Sequence, residues 1–259
     1  MPRVGEIESA LFEIAPESCA QEWDNVGLLV GKRGQEVKKV LVSLDITEAV
    51  VAEANRWQAD LIVAHHPVIF HGQKHMTDRD ASGRLLLQLA ESHLSAICMH
   101  TNLDIAEGGV NDTLAEWLSL RDFYQLEETG VIRVGMLDAP MTLEDFVKKV
   151  SRALGCNGVR YADAGRRVHR VGVGGGACGE FEDAVIRAGC DTFVTADLSY
   201  HQFLEAEGKG INLVDAGHFP TEDPICGELA AYLQTRFPQL RVMKSAVHRE
   251  VIQYFVEGE

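Results

Sequence analysis

The segment LIVAHHPVIF, residues 61–70, sets two imidazoles, His65 and His66, directly after an apolar run and just before a proline. Imidazole is both a metal ligand and a proton carrier near neutral pH. Comparable groups follow other apolar runs: Asp45 after KKVLVSL, His100, Asn102 and Asp104 after SAICM, Asp197 and His201 after DTFVTA, and His218 and Glu222 after INLVDA. One such His is ordinarily a surface residue, and one such Asp a helix cap. So many at equivalent positions read instead as a site built for metal.

The spacing speaks to how many ions such a site takes. Neighbours in a strand point to opposite faces, so His65 and His66 are expected to leave theirs in diverging directions. Holding one ion with both requires a local bend, whereas two adjacent ions can each take one imidazole, with a carboxylate bridging them. His218 and Glu222 are four residues apart and converge if their turn runs into a helix. Mixed imidazole and carboxylate ligands suit Zn, Fe, Mn, Co or Ni better than Ca or Mg. The expected cofactor is two divalent transition-metal ions per chain.

These groups need a frame. Strand patterns are read at 38–44, 60–64, 95–99, 131–137, 167–173, 191–196 and 211–216. Helical patterns are read at the N-terminus, at 47–57, 82–93 and 108–118, from Thr142, at 181–188 and 199–207, and as one long helix from about Thr221 to Phe237. Strands alternating with helices of this length imply an α/β fold: two related, closely packed α/β lobes with largely parallel sheets and helices on the faces. The lobes are expected at 1–125 and 126–259, with the C-terminal strand able to return to the first. A weak internal repeat lays Val40 on Val171, Val42 on Val173 and Asp60 on Asp191, although shared βαβ patterning accounts for much of it. In parallel sheets of this kind ligands gather beyond the carboxyl ends of the strands, where the candidate residues fall.

Composition narrows the function classes. The 259 residues carry 24 basic and 39 acidic side chains, a formal charge of −15, so a polyphosphate backbone would be repelled, which argues against nucleic-acid binding. Hydrophobic residues make up 46%, an ordinary globular share, yet no run approaches the roughly 20 apolar residues of a membrane span. Glu6, Glu8 and Glu13 interrupt the N-terminal apolar pattern, which argues against a signal peptide. The six cysteines include no CxxC pair, and reduced thiols in a cytoplasmic protein are the expectation.

Four motifs in order, WDNVGLLVG (23–31), HHPVIF (65–70), HTNLDIAEGGVNDTLAEWL (100–118) and GHFPTE (217–222), resemble the NIF-three-like, dinuclear metal-centre family, the GTP cyclohydrolase 1 type 2 homologues. The resemblance covers nearly the whole chain, in the short form without the inserted middle domain. It implies that His66 and Asp104 bind one ion, that His65 and His218 bind the other and that Glu222 bridges them. It also implies a two-lobed α/β fold in a ring-shaped homohexamer. Two positions depart from the family pattern: Ser119 and Ala196 stand where glycine is expected.

The resulting expectation is a metal-dependent hydrolase acting on a small molecule, either a nucleotide or another phosphoester. Two cations would acidify water and polarise the group under attack, and His100 or His201 would shuttle protons. The alternative is a non-catalytic metal-binding scaffold or metal-handling protein. A rival motif, Gly174-x-Gly176-x-x-Gly179, has the form of a dinucleotide fingerprint, but Glu180, Glu182 and Asp183 open the helix after it and would repel pyrophosphate. A looser phosphate-cradling role for its backbone N–H groups is the second reading of that turn. Trp23 and the apolar residues after it are expected in the core, with Asp24 and Asn25 at the metal cleft. His71, Lys74 and His75 are read as a solvated loop, and His93, His169 and His248 as structural.

Overall fold

Six of the apolar runs that precede candidate ligands or glycines form parallel strands in the computed structural model, which describes residues 1–255. In chain order the first elements are α1 (Val4–Ile14), β1 (Gly27–Val30), β2 (Lys39–Ser43), α2 (Glu48–Trp57), β3 (Leu61–Ala64), α3 (Ala81–Glu91), β4 (Ser95–Cys98) and α4 (Thr101–Ile105). Next come α5 (Val110–Trp117), β5 (Arg121–Gln125), β6 (Arg133–Met141), α6 (Leu143–Leu154), β7 (Arg160–Ala162), β8 (Val168–Val173) and α7 (Glu182–Arg187). The last are β9 (Thr192–Thr195), α8 (Tyr200–Lys209), β10 (Asn212–Asp215), α9 (His218–Glu222), α10 (Pro224–Arg236) and β11 (Arg241–Lys244).

The chain forms two compact units, one of Met1–Gly109 with Ile225–Arg249, the other of Val110–Pro224 with the described residues from Glu250. The first contains a five-stranded sheet of order β1-β4-β3-β2-β11. Its four inner pairings are parallel except for β1 against β4. Leu41, Ile62, Ala64, Ala96 and Cys98 alternate onto one face and pack with Val50, Val51 and Ala54 of α2 and Leu89 of α3. Val40, Val42, Leu61, Val63 and Ile97, on the other face, are equally buried. Burial on both faces explains why these strands read as continuous apolar runs without alternation. Thr47 caps α2 by accepting from the Val50 N–H, 3.2 Å away.

The second unit contains a six-stranded sheet of order β5-β6-β8-β9-β10-β7. Its centre, β8-β9-β10, is parallel, and antiparallel strands extend it at both sides. Phe146 and Val150 of α6 pack against Val171, Val173, Val194 and Val214 on one face, and Val185, Phe193, Ala206 and Leu213 cluster on the other. The mixed α/β architecture with largely parallel sheets is thus the one expected.

Three local expectations need correction. The long helix is two: Pro224, which has no N–H to donate, opens α10, and α9 before it begins at His218. The polar stretch after α5 contains the exposed strand β5, which hydrophobic patterning misses because little of it is buried. Trp23 is not core; it is 60% exposed. Among the described residues no helix is long and apolar enough to cross a membrane, and no disulfide joins the cysteines.

Candidate metal centre

In the first unit the candidate residues sit just past the carboxyl ends of β3 and β4. His65 and His66 lie beyond the last residue of β3, in a bend where the His66 N–H donates to the Leu44 carbonyl at 2.9 Å. Strand alternation therefore no longer governs them. Instead of diverging, their ring centroids are 4.9 Å apart, with His100 at 5.3 Å from one and 5.7 Å from the other. One donor atom from each of the three lies within 4.8 Å of the others. His65 is fully buried, and its Nε2 is 3.6 Å from Asp104 Oδ1 on α4.

The three imidazoles share one device. His65 Nδ1 is 2.7 Å from the Met99 carbonyl, His66 Nδ1 2.7 Å from Asp45 Oδ1, and His100 Nδ1 2.8 Å from Asp24 Oδ1. Carbonyl and carboxylate oxygens only accept, so each Nδ1 carries the proton and each Nε2 the lone pair. That is the tautomer that binds a metal through Nε2, with the ring aimed by the acceptor behind it.

Asp24 and Asp45 are held as anions. Burial pushes the Asp24 carboxyl up, but hydrogen bonds from His100 and Thr101 outweigh it and hold it well below the usual carboxylate range. Burial likewise raises Asp45, and bonds from His248 and His66 overcome it. His248, read from sequence as structural, donates from Nε2 to Asp45 Oδ2 at 2.8 Å. The signal that would have found it is topological: β11 runs parallel to β2, so the residues after both strands meet at one rim.

The second unit repeats the device. His218 Nδ1 is 2.7 Å from Asp197 Oδ2, and its Nε2 is 3.1 Å from Glu222 Oε2, one turn along α9. Glu222 is 5% exposed. Asp197 follows β9 with φ of 54°, a left-handed conformation that Asp tolerates better than most residues. His201, in the first turn of α8, is exposed and packs its ring against Tyr200, 5.5 Å away. His71 and His75 are exposed in their loop, as expected.

The glycine turn after β8 belongs to this group. Gly176 has φ of 61°, and a Cβ there would lie 2.2 Å from Glu222 Oε1 and 3.0 Å from His218 Nε2. Its glycines make room for those two side chains. The dinucleotide reading fails for a related reason, because the N–H groups a phosphate needs are already used. Gly174 donates to the Val194 carbonyl, Gly175 to Asn111 Oδ1, Gly176 to Thr221 Oγ1 and Cys178 to Thr195 Oγ1.

Imidazoles in the Nε2-ligating tautomer with buried carboxylates beside them fit a divalent transition metal. Either unit's His and carboxylate groups could contribute to binding one.

The sequence pattern of Duf34/NIF3 (NGG1p interacting factor 3) matches residues 2–250. A Clostridium perfringens protein named GTP cyclohydrolase 1 type 2 homolog is 31% identical over 241 residues, covering 90% of this chain and 92% of that one. A Streptomyces coelicolor protein of the same name is 36% identical over 245 residues, covering 90% and 86%. A Bacillus cereus protein related to NIF3 superposes with a TM-score of 0.93 over 98% of this chain and 99% of its own, at 23% identity, a likeness of fold. The chain therefore belongs to the Duf34/NIF3 family.

Proposed function

We propose that His65, His66, Asp104, His218 and Glu222 together hold two divalent transition-metal ions and that the protein is a metal-dependent hydrolase of a nucleotide or other phosphoester. The observation that carries this reading is the shared tautomer: at each of the three proposed imidazole ligands, Nδ1 is committed to a protein acceptor. His65 Nε2 and Asp104 Oδ1 lie 3.6 Å apart, so these two would serve the same ion rather than one each, contrary to the pairing the family resemblance implied. The Glu222 carboxylate serves both ions. Bound there, two cations supply Lewis acidity and lower the pKa of water toward neutrality.

The protein's own groups do the rest. Asp45 and Asp197 hold the rings of His66 and His218 in position, and the Met99 carbonyl does so for His65. His100, its Nδ1 held by Asp24, accepts a proton at Nε2 and returns it to a leaving group. The names of the curated relatives, homologues of a GTP cyclohydrolase, favour a nucleotide. A homohexameric ring is the assembly we propose with this reading, and sedimentation of the purified protein tests it.

The deciding experiment measures metal per chain in protein purified without chelator, then assays the loaded protein against nucleotides and phosphoesters beside His65→Ala and Glu222→Ala. About two ions per chain, with turnover lost in both variants, supports the proposal. Turnover that survives Glu222→Ala refutes the two-ion mechanism. Metal without turnover on any substrate favours a binding scaffold.

A further inference from the structure

Two large aromatic rings stand in solvent beside the first unit's imidazoles. Trp23 is 60% and Phe70 45% exposed, their ring centroids 5.7 Å apart and their planes crossing at 61°. Each ring centroid is 6.1 Å from that of His100. Leaving both unburied forgoes some of the largest apolar contributions a side chain can make.

The corner is nevertheless built, because the residues next to each ring are clamped. Asp24, adjacent to Trp23, has a fully buried side chain whose Oδ1 binds His100 Nδ1 at 2.8 Å and whose Oδ2 accepts the Thr101 N–H at 3.0 Å. Asn25 donates from Nδ2 to the carbonyl of Ile69, the residue before Phe70, at 2.6 Å. That bond ties the segment bearing one ring to the segment bearing the other. The rings are therefore displayed on a fixed frame, with His100 Nε2 carrying the lone pair beside them.

The geometry points to a stacking site for the planar heteroaromatic base of a substrate, held in the corner of Trp23 and Phe70 with its reactive part toward His100. Aromatic faces take such bases with little regard to their hydrogen-bonding edges, so the site selects a flat heterocycle over a sugar phosphate lacking one. Its place at a metal centre rests on the function proposed above. Binding of a base to the corner does not, and it can be measured in metal-stripped protein.

The test is calorimetric titration of the full-length protein, metal-stripped and metal-loaded, with guanosine monophosphate and with ribose 5-phosphate. The variants are Trp23→Leu, Trp23→Phe and Phe70→Leu, with thermal melts to confirm folding. The nucleotide is expected to bind stripped protein, to weaken about tenfold or more in both leucine variants, and to recover largely in Trp23→Phe. Ribose 5-phosphate is expected to be indifferent to all three. Equal affinity for the two compounds, or unchanged nucleotide binding in Trp23→Leu, overturns the assignment. So does a Trp23→Leu variant that loses its oligomeric state yet still binds the nucleotide, since the corner would then serve a second copy. Absence of metal from unstripped protein would defeat the metal-centre proposal, whereas the stripped-protein titration decides the stacking site separately.

Discussion

Gly176 and Glu222 approach so closely that a single methyl group on the glycine would lie 2.2 Å from the carboxylate's Oε1. Gly176→Ala therefore forces Glu222 to move and places a β-carbon at φ of 61°. We expect metal per chain to fall and the fold to lose about 1–2 kcal/mol. Elemental analysis beside a thermal melt measures both. Wild-type metal content in this variant would show that Glu222's position does not matter to binding.

Asp45 accepts from His66 through one oxygen and from His248 through the other. Asparagine retains only one accepting oxygen, so Asp45→Asn should weaken metal binding about 10–100-fold, the usual effect of removing an orienting acceptor. Competition against a chelating dye reads this directly, and an unchanged affinity would make Asp45 a purely structural residue.

Ser119 has φ of 56° just past the end of α5, where the Leu120 N–H reaches back to the Ala115 carbonyl at 3.0 Å. This is the helix-ending geometry that favours glycine, the residue expected at this position. Ser119→Gly removes about 1 kcal/mol of left-handed strain and returns part of it as unfolded-chain freedom. A net gain of roughly 0.5 kcal/mol is expected in denaturant melts; a loss would mean that the serine side chain contributes a contact worth more than the strain.

Burial pushes the Cys98 thiol up to about 12. An unfolded thiol ionises near 8.5, so between those values the unfolded chain has lost a proton that the folded one keeps. Stability from this group is accordingly intact below about pH 8.5 and falls as pH rises, by roughly 1.4 kcal/mol per pH unit. The stability difference between wild type and Cys98→Ala should shift against wild type by about 2 kcal/mol between pH 8 and 10. A difference that stays constant over that range would refute it.

Buried Arg133 on β6 pairs with Asp112 on α5. Asp112→Ala strands the guanidinium and should cost about 3 kcal/mol or more, measured by urea denaturation. A cost within a few tenths would show that Arg133 is satisfied without the aspartate.

Strands β2, β3, β4, β9 and β10 were legible because both of their faces are buried, which turns each into a largely apolar run followed by a polar group. From those ends the sequence singled out His65, His66, Asp104, His218 and Glu222 among its candidate groups, since ligands gather past the carboxyl ends of parallel strands and no distant contact is needed to see the residues there. Tertiary structure decided what local pattern cannot encode. The bend after β3 brings His65 and His66 together, where strand alternation alone would separate them. His248 joins Asp45 through a pairing of β11 with β2 that spans nearly the whole first unit's sequence. The glycine turn proved to be clearance for Glu222 and His218 because its N–H groups are used by residues distant in sequence. Trp23, apolar and so expected in the core, is held outside by the hydrogen bonds of its neighbours Asp24 and Asn25. Periodicity reports which side chains avoid water, and only the folded chain shows which polar partners overrule it.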